Sequence, residues 1–60
     1  MTYKIKSVPK HDLFCIFLNA KNMRYDIKKT NGEYCFNVVP PRFSQDEVEI
    51  NLFYEALKNL

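Results

Sequence analysis

Apolar and polar residues alternate most regularly on either side of Thr30-Asn31-Gly32-Glu33. Asn-Gly between two alternating segments predicts a two-residue type I′ hairpin turn, because both central residues must accept positive φ. A two-residue loop then fixes the register: Thr30 opposes Glu33, Lys28 opposes Cys35, Ile27 opposes Phe36 and Tyr25 opposes Val38. In that register Tyr25, Ile27, Tyr34, Phe36 and Val38 share one face, while Arg24, Asp26, Lys28, Glu33, Cys35 and Asn37 share the other. A slip of one residue would mix the two sets, so turn and pattern predict the same pairing. Residues 2–8 alternate as well, with Tyr3 and Ile5 set against Thr2, Lys4 and Lys6, and predict a third half-buried strand ended by Pro9.

Two segments carry helical spacing. Ser44 followed by Glu47 predicts a capping box, with Pro40-Pro41 holding the approach extended. Asp46 and Glu47 suit the positive end of the helix that follows, and Lys58 suits its last turn. Its expected apolar stripe is Leu52, Phe53, Ala56, Leu57 and Leu60, with Val48 at the margin and Asn51, Tyr54, Glu55 and Lys58 opposite. Residues 12–22 contain the run Leu13–Leu18, which suits either a buried strand or a helix. The helix is preferred: Asp12 as N-cap, a stripe of Leu13, Ile16, Phe17, Ala20 and Met23, and Asn22 as a left-handed C-terminal cap.

The expected fold is α+β, in the order β-α-β-β-α. A crossover through 12–22 makes the first two strands parallel, and the third fits between them, antiparallel to both. This gives a three-stranded sheet of order 1-3-2 with two helices on one face. The layout resembles a ferredoxin-like arrangement without its final strand, a likeness that implies no function. If 12–22 were a strand, the alternative would be a four-stranded meander with a C-terminal helix.

Sixty residues predict a single domain spanning 1–60. With 47% hydrophobic and 15% aromatic residues the chain can build one compact core, but a domain this small has a thin stability margin and self-association is expected. The net charge of +2 is unevenly spread. Residues 1–43 hold eight Lys or Arg against three acids, net +5, and residues 44–60 hold one against four, net −3. The alternating N-terminus is unlike a secretory leader and the longest apolar run is too short to span a bilayer, so a soluble, cytoplasmic protein away from the membrane is expected.

Little in the chain points to chemistry. Cys15 and Cys35 lack the spacing of a metal site, fall on different layers of the expected fold, and read as two reduced thiols. His11 is the only histidine, and Gly32 the only glycine, so neither a nucleophile turn nor a phosphate-cradling loop is present. No catalytic residue, cofactor or metal is expected. Lys4, Lys6, Arg24 and Lys28 would project from the polar sheet face, where they form the candidate binding set. The expected function is a non-enzymatic protein-interaction or regulatory module, homodimeric, acting through an open sheet edge at the first strand or through its helical surface. The alternative is a nucleic-acid-binding regulator that uses those four basic residues against phosphates.

Overall fold

The computed structural model describes residues 1–60. The chain runs β1 (Thr2–Ile5), α1 (Val8–Ala20), β2 (Tyr25–Thr30), β3 (Glu33–Val38) and α2 (Ser44–Lys58). It is an α+β fold with one sheet in the order β1-β3-β2, and both pairings with β3 are antiparallel. The segment that suited either a strand or a helix is therefore helical.

The hairpin forms in the expected register. Thr30 pairs with Glu33, Lys28 with Cys35 and Tyr25 with Val38. Asn31 at φ 53° and Gly32 at φ 76° supply the two positive φ values of a type I′ turn. β1 adds to the other side of β3, with Tyr3 opposite Phe36 and Ile5 opposite Tyr34.

β1 is shorter than the pattern of residues 2–8 predicts, and α1 starts earlier than residue 12. Ser7, at φ −90° and ψ 131°, is the N-cap in place of Asp12, although its side chain makes no capping bond. Pro9 lies in the first helical turn instead of ending a strand. Its fixed φ suits a helix there, and the N–H it lacks would have no intrahelical acceptor. The first i→i−4 bond, from the His11 N–H to the Ser7 carbonyl, is already in place at 2.9 Å. The other end closes as expected. Asn22 takes φ 56°, its N–H bonds the Asn19 carbonyl, and the Met23 N–H bonds the Leu18 carbonyl, which is the Schellman pattern.

α2 begins one residue before the capping box requires. Phe43 is the N-cap, Ser44 is the first helical residue, and no side chain caps the end. The first-turn acids Asp46 and Glu47 and the last-turn Lys58 stand where the helix dipole favours them.

The core is the cluster Tyr3, Ile5, Phe14, Leu18, Phe36, Val38, Ile50 and Leu57. Aromatic edges hold it together: Phe14 meets Phe36 at 4.9 Å and Tyr3 at 5.3 Å, and Tyr3 meets Tyr54 of α2 at 4.8 Å. Between the helices Phe17 and Phe53 stack at 4.2 Å, and Lys21 pairs with Asp46 and Glu49. Lys10, at the opposite end of α1, bonds the Leu60 carbonyl, so the helices run antiparallel.

Each helix turns inward only part of the stripe its spacing suggests: Phe17 and Met23 of the first stripe and Phe53 and Leu57 of the second pack in or against the core. α1 buries Phe14 and Leu18, whereas Leu13, Ile16 and Ala20 are exposed. α2 buries Ile50 and Leu57 and half-buries Phe53 and Tyr54, whereas Val48, Leu52, Ala56 and Leu60 are exposed.

Candidate functional site

The polar sheet face is a small grid fixed by the ladder. Lys4, Cys35 and Lys28 lie in one row across the three strands, beside the row Thr2, Asn37 and Asp26. Of the four candidate binding residues, Lys4 and Lys28 therefore share a row on either side of Cys35. Lys6 follows the end of β1. Arg24 precedes β2, where its carbonyl accepts the Val39 N–H at 2.9 Å. All four are exposed, and none forms an ion pair. The row nevertheless lacks aromatic surface, because Tyr3, Tyr25, Tyr34 and Phe36 occupy the alternate positions, which project to the other side.

The two free edges differ. In β1 the residue Met1 exchanges both backbone bonds with Val38, at 3.0 and 2.8 Å, so Met1, Tyr3 and Ile5 direct their N–H and C=O toward β3. Lys4 directs its own outward. Those two groups are not free: the Tyr54 hydroxyl donates to the Lys4 carbonyl at 2.8 Å and accepts the Lys4 N–H at 3.4 Å. At Lys4 the edge expected to be open is thus plugged by a side chain of α2, while the outward groups of Thr2 stay unbonded. In β2 the phase set by Thr30–Glu33 and by the Arg24–Val39 bond turns Asp26 and Lys28 toward β3. Tyr25, Ile27 and Lys29 are left with outward N–H and C=O groups that bond nothing in the chain.

A second surface lies over the helices. Leu13 and Ala20 lie within about 60° of Phe17 on the helical wheel, on the same side of it, as Ala56 does of Phe53. The Phe17–Phe53 stack therefore forms the floor of an apolar strip. Leu52 (65% exposed), Ile16 (64%) and Leu60 (78%) are its most exposed members. Carboxylates border it at Asp12 and Glu55, whose side chains are largely exposed. Val48, Leu52 and Ala56 follow one another at i, i+4 along α2, and Leu60 stands just past its end.

One side-chain cluster lines up a carboxylate, an imidazole and a thiol. His11 Nδ1 lies 2.9 Å from an Asp12 carboxylate oxygen, and its Nε2 lies 3.8 Å from Cys15 Sγ. The order carboxylate, imidazole, thiol is that of an activated nucleophile. Its electrostatics point the other way. Burial pushes the Cys15 thiol up, and the Asp12 carboxylate adds to the rise against a lowering hydrogen bond from Tyr25. A thiol held protonated is a poor nucleophile at neutral pH. The imidazole itself packs over Tyr34 at 4.3 Å and Phe36 at 5.4 Å. Cys35 faces the other side of the sheet, and both cysteines are free.

Tyr54, whose spacing predicts the outer face of α2, instead packs on Tyr3 and bonds the Lys4 backbone. No helix is long and apolar enough to cross a membrane. Comparison with known proteins found no matching family model, no matching curated protein and no matching solved structure.

Proposed function

We propose that the chain is a non-enzymatic, cytoplasmic protein-interaction module, that it works as a homodimer, and that its helical surface receives an amphipathic helix of another protein. Both helices then cover the apolar side of the sheet, as the joint contact of Tyr3 with Phe14 and Tyr54 suggests. The observation that carries the reading is the exposed stripe Val48, Leu52, Ala56 and Leu60 beside Leu13 and Ile16. Each large side chain in it forgoes roughly 1–2 kcal/mol of burial, which a small domain tolerates when the surface serves contact. The −3 charge of residues 44–60 favours a partner helix with basic residues beside its apolar stripe. The plug at Lys4 argues against β1 as the contact, since a strand added there would have to displace Tyr54.

The test is binding of a synthetic helical peptide with leucine on one face and lysine on its flanks, followed by fluorescence anisotropy. Leu52→Asp and Ile16→Asp should each weaken binding about tenfold while leaving the circular dichroism unchanged, because an apolar contact of about 1.4 kcal/mol is lost. Equal binding by the parent and both variants, or none by the parent, would sink the reading. Binding of single-stranded DNA or RNA at low salt, weakened by charge reversal at Lys4, Lys6, Arg24 and Lys28, would favour the nucleic-acid alternative.

A further inference from the structure

From the open edge of β2 we infer that two copies of this chain pair β2 to β2, antiparallel about Ile27, and form one continuous six-stranded sheet. The inference rests on the homodimeric part of the reading above and adds the surface and register of the contact.

The backbone sets the register. Tyr25, Ile27 and Lys29 are the β2 residues whose N–H and C=O groups point away from β3 and have no partner in the chain. An antiparallel copy centred on Ile27 places Tyr25 opposite Lys29 of the second copy, Ile27 opposite its equivalent, and Lys29 opposite Tyr25. All three are positions that exchange both backbone bonds. A shift by two residues would leave one of the three without such a partner.

The side chains agree with that register on both faces of the sheet. On the polar face Asp26 comes opposite Lys28 of the second copy, and the two-fold axis repeats the pair. Neither residue has an ion-pair partner within its own chain. On the other face Ile27, 39% exposed, meets its own equivalent. Lys29, whose Nζ already lies 5.4 Å from the Tyr34 ring centroid, comes opposite Tyr25 of the second copy, another aromatic ring.

Lysines on an edge strand ordinarily discourage pairing. Here the register neutralises Lys28 with Asp26 and sets Lys29 among aromatic rings, so the charges select one alignment. The other edge offers less, because the Tyr54 hydroxyl holds the outward groups of Lys4 and only Thr2 is left with unbonded ones. The contact is narrow, so the dimer is expected at high micromolar concentration and above. It leaves the helical strip of each copy uncovered.

The experiment combines sedimentation across micromolar to millimolar concentration with amide hydrogen exchange on the full chain. The parent should dimerise, with the Tyr25, Ile27 and Lys29 amides protected as the dimer fills. Asp26→Lys or Lys28→Asp alone should raise the dimer dissociation constant about tenfold, and the double exchange should restore it, because each single change sets like charges opposite twice. Ile27→Pro removes an outward N–H, spares the β3 ladder, and should abolish the dimer. A dimer that ignores the charge exchanges, with those three amides exchanging freely, overturns the β2 contact and leaves homodimerisation standing. A monomer throughout the concentration range overturns both, while the helical peptide test still judges the interaction surface.

Discussion

The hydroxyl of Tyr54 occupies both outward backbone groups of Lys4, donating to the carbonyl at 2.8 Å and accepting the N–H at 3.4 Å. A side chain from the last helix thereby satisfies the outward backbone of Lys4 in the first strand. The same ring packs edge-on against Tyr3 at 4.8 Å, so shape and polarity fix it in one place. Tyr54→Phe keeps the ring contact and removes both bonds. It should cost about 1 kcal/mol by urea denaturation and speed exchange of the Lys4 amide. Unchanged Lys4 exchange would show that the hydroxyl does not guard the edge.

The apolar residues of each helix divide into those that hold the fold and those that do not. Phe14 is fully buried and touches Tyr3, Phe36 and Tyr54. Phe14→Ala should cost about 3–5 kcal/mol, enough to unfold much of a marginal 60-residue domain at room temperature. Leu52→Ala on the exposed strip should stay within about 0.5 kcal/mol of the parent. Paired denaturation curves check both, and a large loss at Leu52 would mean that the strip is already covered in the free protein.

The sheet was legible in the sequence and the helix faces were not, for physical reasons. Asn31-Gly32 fits a two-residue turn with two positive φ values, which fixes the register, and a period of two separates Tyr34, Phe36 and Val38 from Glu33, Cys35 and Asn37. Leu13–Leu18 is apolar on every side, so spacing alone cannot choose between the Phe14–Leu18 stripe and the Leu13–Ile16–Ala20 stripe. Packing chose the stripe bearing the ring that reaches Tyr3 and Phe36. In α2 the more regular stripe is the one left outside. Tyr54 reads as a surface residue because its partner, Lys4, lies 50 positions away and presents only backbone. Lys4 and Lys28 share the polar row while Lys6 and Arg24 lie just outside the strands, and the edge with the longer run of unbonded outward groups is β2, not β1.

The hairpin turn offers a backbone test with no side-chain contact to confuse it. Gly32 sits at φ 76° with nothing near the place a Cβ would occupy, so a substitution there meets strain but no collision. Gly32→Val should cost about 1–2 kcal/mol from the left-handed conformation alone. Asn31→Gly should change stability by less, since Asn already tolerates its φ of 53°. Thermal melts of the two variants check the order. The reverse order would mean that the Asn31 side chain contributes more than its backbone.

Alkaline pH should weaken the fold through two phenols, with the Cys15 thiol, which burial also raises, acting in the same direction. Burial is the main cause of the raised pKa at Tyr3, with the Glu47 charge and Tyr54 adding to it. Burial also raises Tyr25, with Cys15 adding and the Asn19 hydrogen bond opposing. Because the unfolded chain releases these protons near pH 10 and the folded chain holds them longer, deprotonation favours unfolding. Their contribution is complete below about pH 10 and is lost as the pH rises through the higher folded values. Urea midpoints from about pH 8 to about pH 11 should fall, and Tyr25→Phe should flatten the decline by removing one of the two groups. A stability that rises over that interval would contradict the raised pKa of both phenols.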